Sequence, residues 1–304
     1  MRQPRSIGLE TVGLRPMNEG DVLVDVEWSG ISTGTERLLW TGRMPHFPGM
    51  GYPLVPGYEA VGTVAESRHP GIREGEHVFV PGSNGYQDVR GLFGASARRL
   101  VASGARVIPL PRSLGSRAVL LALAATAYHI GPLTGAKPDL IVGHGTLGRL
   151  LARMAALAPG APPTVWERSP RRRAGAVGYA CIDAADDTRR DYTRICDVSG
   201  DPAILDTLVD RLAPGGEIVL AGFYQQPLHF GFVPAFLREA RIRVAAQWQP
   251  GDIAAAAELI VSGRLPLDDF VTEEVPVSDI EAAYRHAFED EDCLKLVLDW
   301  SSIS

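Results

Sequence analysis

The sequence predicts an α/β protein built as a β-rich N-terminal domain followed by a doubly wound parallel sheet. Three observations predict it. Short β-like runs divided by glycine and proline fill the N-terminal part. Near residue 113 the rhythm changes to apolar strands alternating with helical segments. Finally, Gly143, Gly145 and Gly148 stand between a strand and a helix in "LIVGHGTLGRLLARM", residues 140–154.

At 304 residues the chain exceeds the roughly 100 to 200 residues usual for one domain, and two domains are expected. We assign 1–120 and 248–304 to the first and 121–247 to the second. In the first, "DVLVDVEWSG" (21–30), "EAVGTVAES" (59–67) and "GEHVFVPG" (75–82) are strands of an all-β barrel or sandwich. "RAVLLALAATAYHIG" (117–131) is a buried helix, and "PDLIVGHG" (138–145) a strand bounded by Pro138. Leu147, Leu150, Leu151, Met154 and Leu157 recur at helical spacing until Pro159 and Gly160 end the run. "TVWE" (164–167), "RICDVSG" (194–200), "APGGEIVLAGFY" (213–224) and "ARIRVAAQW" (240–248) supply further strands. Asp201 and Pro202 are expected to cap and begin a helix whose apolar face is Leu205, Leu208, Val209 and Leu212. In the tail, Ser278 and Glu281 have capping-box spacing before Ile280, Ala283, Tyr284, Ala287 and Phe288, and this segment is expected to pack back on the first domain.

Strand, glycine turn, helix and a following acid, Glu167, together form the dinucleotide fingerprint of a Rossmann domain. Gly143 permits the tight turn, Gly145 lets the backbone approach a diphosphate, and Gly148 lets helix and sheet pack closely. His144, Thr146 and Leu147 complete the turn at the helix N-terminus, whose free N–H groups and positive dipole end face phosphate. Glu167 accepts hydrogen bonds from a ribose 2′-OH and repels a 2′-phosphate, which favours NAD over NADP. Arg168 and Arg171 to Arg173 are the cations beside it, and they stand against that preference. A methyltransferase using S-adenosylmethionine also has a glycine-rich turn, but the third glycine and the preceding β-rich domain disfavour it.

Composition excludes other classes. A formal net charge of −6 at pH 7 argues against broad binding of nucleic acid, which attracts an excess of Lys and Arg. Cys181, Cys196 and Cys293 are scattered without metal-ligand spacing, which fits a reducing compartment. No apolar run approaches the roughly 20 residues of a membrane span, and "MRQPRSIGLE" has no apolar leader core, so a cytoplasmic protein without an integral membrane segment is expected.

The order of β-rich domain, Rossmann domain and C-terminal return resembles the medium-chain dehydrogenase/reductase superfamily, whose first domain is GroES-like. Its zinc-dependent members carry a cysteine in a G-I-C-like turn, a G-H-E motif and a further cysteine near the start of the nucleotide domain. The corresponding text here is "SGISTGTE" (29–36), "PGYEAVG" (56–62) and "LAATAYH" (123–129). By this resemblance Ser32 replaces the first ligand, Tyr58 the histidine, and Ala124 or Ala125 the last cysteine. Zinc prefers thiolate and imidazole, so no metal is expected. Some side chain must then handle the proton that zinc would have acidified. Tyr58 is the first candidate, with Glu59, Ser32, Thr35, Glu36 and His129 in reserve.

Between these motifs, "ERLLWTGRMPHFPGMGYPLVPGYE" (36–59) is dense in large flat and adaptable side chains. With "ATAYH" and "IVGHGTLGRLLAR" it is similar to a zinc-free branch of the superfamily that oxidises a 3-(1-hydroxyethyl) group on a magnesium bacteriochlorin to 3-acetyl. The resemblance implies NAD as hydride acceptor and a tetrapyrrole substrate contacted by Glu36, Arg37, Trp40, Arg43, Met44, Phe47, Met50 and Tyr52. Arg37 or Arg43 would pair with its propionate, and His46 or His129 would approach its magnesium. Homodimers are common in the family. The competing readings are a zinc-free quinone or enone reductase using NAD(P)H and a non-catalytic tetrapyrrole-binding protein.

Overall fold

The computed structural model describes residues 1–45 and 48–303. The chain forms two compact units, Met1–Ala122 with Ile260–Ser304, and Leu123–Leu259. Residues 248–259, expected with the first unit, fall in the second.

The first unit opens with β1 (Asp21–Ile31), in which Val22, Val24 and Val26 are buried on one face as period-2 alternation requires. Helix α1 (Thr35–Thr41) follows, then β2 (Ala60–Ser67), β3 (His77–Val80), β4 (Arg99–Ser103) and β5 (Ile108–Pro109). The single helix expected over 117–131 is two pieces, a 3₁₀ segment at Arg112–Leu120 interrupted by Gly115 and then α2 (Leu121–Ile130).

The second unit alternates strand and helix. β6 (Leu140–Val142) leads through the glycine turn to α3 (Thr146–Leu157), then come β7 (Thr164–Trp166), the short α4 (Pro170–Arg173), β8 (Ala180–Ile182) and β9 (Tyr192–Asp197). α5 (Leu205–Arg211), β10 (Leu212–Leu220), α6 (Phe232–Leu237), β11 (Arg241–Val244) and α7 (Pro250–Val261) complete the series. All six strands pair in parallel in the order β11-β10-β9-β6-β7-β8. Chain order reverses direction between β6 and β9, and ligands of such sheets bind beyond the strand ends at that crevice. Asp201 does not cap α5. Its carboxylate accepts the Ala203 N–H 2.9 Å away in a local turn, and the helix begins only at Leu205.

The chain then returns to the first unit through β12 (Val271–Pro276), α8 (Ile280–Glu289) and β13 (Lys295–Asp299). β13 pairs antiparallel with β1, and Ile280, Ala283, Tyr284, Ala287 and Phe288 all enter that unit's core. The completed sheet runs β12-β13-β1-β2-β3-β5, with β4 also on β1. Ser278 makes no capping box, because Val277–Asp279 is a 3₁₀ turn and Glu281 instead reaches Arg285 at 3.0 Å along the helix.

Candidate active site

Where β1 ends, the backbone turns through Ser32 into α1, and Tyr58 stands just ahead of β2. This brings the Ser32 Oγ within 2.6 Å of the Tyr58 hydroxyl. Thr35 is the first residue of α1. Phe93 holds the Tyr58 ring edge to face at 5.3 Å. Burial first, then the negative charge on Glu59, pushes the phenol well above its ordinary value, against the opposing pull of the Ser32 bond. Tyr58 is therefore a neutral O–H at physiological pH, able to donate and accept but not to act as a phenolate.

Beneath this pair lie two buried carboxyl groups. Glu36 accepts the Ser32 N–H at 3.0 Å and the Tyr284 O–H at 2.7 Å. Burial raises it to about 7, the two hydrogen bonds opposing. Glu59 takes the Lys295 ammonium at 2.6 Å on Oε2, while its Oε1 is buried without a hydrogen-bond partner among the described residues. Burial raises Glu59 too, with Lys295 pulling it back down. Lys295 also donates to the Ile31 carbonyl at 3.3 Å, so the pair locks β13 to the end of β1.

The zinc of the superfamily does not fit these residues. Ser32 and Tyr58 offer hydroxyls bonded to each other, the phenol is held protonated, and Ala124 and Ala125 carry no donor. Among the described residues no three His, Cys, Asp or Glu side chains gather as a metal site.

In the second unit the turn after β6 takes its shape from its three glycines. Gly143 has φ +101°, and a Cβ on Gly148 would lie 1.9 Å from the Gly143 carbonyl oxygen, so neither position accepts a side chain. At Gly145 a Cβ would meet nothing within 4 Å. α3 starts there with no side-chain hydrogen bond from its N-cap residue, Gly145, and its positive dipole end faces the turn. Glu167 sits at the end of β7, where Oε2 accepts the His144 N–H at 3.0 Å and Oε1 the Ser169 N–H at 2.9 Å. Each oxygen keeps a lone pair for a ribose hydroxyl. The residues present fit a dinucleotide.

Other expected site residues separate. Glu36 and Trp40 are core rather than contact surface. Trp40 packs on Tyr284 and Phe288 with centroids 6.2 Å apart in each case, because α1 buries Leu38, Leu39 and Trp40 together. Met44, Met50 and Tyr52 are half-buried against that core, Tyr52 donating to the Leu39 carbonyl at 2.5 Å. Arg37, Arg43 and Arg168 are exposed. His129 donates from Nδ1 to Asp252, 2.8 Å away, within the second unit. Thr146 is buried and Leu147 half-buried at the start of α3. Phe47 and His46 lie outside the described residues. Sequence reading missed Lys295 and placed Tyr284 only in the core. The one signal for Lys295 was a lone charge inside the apolar run "CLKLVL" (293–298).

The fold and these two sites define a medium-chain alcohol dehydrogenase, and the alcohol dehydrogenase GroES-like domain model matches residues 18–112. The chain is 54% identical over 303 residues to the 2-desacetyl-2-hydroxyethyl bacteriochlorophyllide A dehydrogenase of Rhodobacter capsulatus, covering 99% of this chain and 96% of that one. It is 55% identical over 304 residues to the protein of the same name from Cereibacter sphaeroides, covering 98% and 96%. Among solved structures, an alcohol dehydrogenase from Escherichia coli CFT073 in complex with NADH superposes with TM-score 0.81 at 19% identity, over 98% of this chain and 97% of that one. The chain belongs to the family of 2-desacetyl-2-hydroxyethyl bacteriochlorophyllide A dehydrogenases.

Proposed function

We propose that the protein oxidises the 3-(1-hydroxyethyl) group of bacteriochlorophyllide a to 3-acetyl, with NAD as the oxidant. The observation that carries this is the 54% and 55% identity to two dehydrogenases named for that substrate, spread over nearly the whole chain.

A secondary alcohol must lose a proton from oxygen and a hydride from carbon. NAD, when bound, supplies the hydride acceptor. On the protein's side, the Tyr58 hydroxyl orients the substrate oxygen. With Ser32 it forms a relay: the alcohol's proton passes to Tyr58 as the phenol's own passes to Ser32 and the Ser32 proton leaves to solvent water, so neither hydroxyl needs to ionise fully. Glu59 and Lys295 hold the backbone on which that relay stands. Gly143, Gly145 and Gly148 seat the diphosphate, and Glu167 takes the ribose hydroxyls and disfavours a 2′-phosphate. Arg37 and Arg43, both exposed, are the cations offered to the propionate of the magnesium bacteriochlorin.

The working form we propose is a cytoplasmic homodimer. No helix among the described residues is long and apolar enough to cross a membrane. β11 is an edge strand, and beside it in sequence Phe232, Val233, Phe236 and Leu237 are exposed on α6, a patch suited to a second copy.

The test is anaerobic incubation with 3-(1-hydroxyethyl)bacteriochlorophyllide a and either NAD or NADP, read by absorption and product mass. Loss of two hydrogens with NAD is expected. Reduction of a quinone or enone with NADPH and no turnover of the pigment would replace this reading by a reductase, and pigment binding without turnover by a carrier.

A further inference from the structure

His144 lies between the first two glycines of the turn, and its imidazole is buried. Nδ1 is 2.8 Å from the Arg172 carbonyl oxygen, and Nε2 is 2.6 Å from the Tyr179 hydroxyl. A carbonyl only accepts, so Nδ1 carries the proton and the Tyr179 O–H donates to Nε2. Burial pushes the imidazole down to about 4, which keeps this neutral form at working pH.

The bonds around it converge. From α3, Arg149 donates through Nη2 to the same Arg172 carbonyl at 3.0 Å and through Nε to the His144 carbonyl at 3.3 Å. Gly175 makes room for that guanidinium, since a Cβ there would lie 2.2 Å from its Nη1. The His144 N–H meanwhile donates to Glu167. The diphosphate turn and the 167–179 segment are thus one hydrogen-bonded body that includes the acid expected at the ribose.

We propose that His144, held by Tyr179 and Arg172, is a positioning residue that sets the affinity for the nicotinamide dinucleotide and the discrimination of NAD from NADP. This rests on the dinucleotide reading above. Without the clamp the turn and the Glu167 segment must be ordered during binding, a cost that a preorganised pair avoids.

The test is calorimetric titration of NAD and NADP into the wild type, Tyr179→Phe, His144→Ala and His144→Asn, with KM, kcat and melting temperature for each. Tyr179→Phe removes one hydroxyl and is expected to weaken NAD between about threefold and tenfold. It should narrow the NAD-to-NADP ratio and raise the KM for NAD, with kcat at saturating NAD unchanged. His144→Ala should do more, and His144→Asn, whose amide N–H can replace Nδ1–H, should recover part of the loss. Variants that bind both nucleotides as the wild type does overturn the clamp alone. So do variants whose kcat falls with their melting temperature while the NAD-to-NADP ratio holds. A wild type that binds neither nucleotide removes the dinucleotide reading and the clamp together.

Discussion

The Ser32 and Tyr58 hydroxyls lie 2.6 Å apart and are bonded to each other. Replacing Tyr58 by Phe keeps the ring and its 5.3 Å contact with Phe93 but removes the O–H. Tyr58→Phe is expected to lower kcat about 10²-fold with the melting temperature nearly unchanged, as steady-state kinetics and calorimetry would show. Ser32→Ala should lower kcat less, since it removes one partner of the pair and leaves the Tyr58 hydroxyl in place.

Glu36 gives the fold a pH dependence. Its carboxyl is raised from 4.5 to about 7 by burial. Between those values the folded chain holds a proton that the unfolded chain has released. Its contribution to stability is therefore full below about 4.5, falls as pH rises toward 7, and is flat above, a change of at most about 3 kcal/mol. Glu36→Gln can accept from Ser32 with its oxygen and donate to Tyr284 with its nitrogen. It should unfold at similar denaturant concentrations at pH 5 and pH 8, where the wild type is weaker at pH 8.

Lys295 and Glu59 form a buried ion pair at 2.6 Å. Lys295→Met leaves the carboxyl without its cation and is expected to cost about 3–5 kcal/mol. Lys295→Met combined with Glu59→Leu should recover most of that loss, and urea unfolding of the single and double variants would measure it.

The glycines of the turn should separate by role. Gly148→Ala places a methyl 1.9 Å from the Gly143 carbonyl and should lower both melting temperature and NAD binding. Gly145→Ala meets open space, so the fold should hold while the KM for NAD rises. Equal melting losses in both variants would contradict this division.

The turn was legible in the sequence because its requirements are local: a strand, three glycines and a 3.6-residue repeat lie within a few turns of chain. The alternation of β1 and the apolar face of α8 were legible for the same reason. The buried ionic layer was not, because Lys295 meets Glu59 across 236 residues and Tyr284 meets Glu36 across 248. No periodicity reports such a pairing. Trp40 and Glu36, expected at the substrate, lie in the core, because an aromatic-rich stretch reads alike whether it lines a pocket or packs a core. β4, β5, β8, β12 and β13 went unread because such short strands show little alternation and none adjoins a motif that marks it, as the glycine turn marks the equally short β6.

We propose that the Ser32 and Tyr58 hydroxyl pair, and not a bound zinc, handles the proton of the alcohol that this chain oxidises. The most direct test measures metal content by mass spectrometry beside kcat on the hydroxyethyl bacteriochlorophyllide, before and after exhaustive chelation. Full NAD-dependent turnover is expected from protein with far less than one zinc per chain. Activity that disappears on chelation and returns in proportion to added zinc would contradict it.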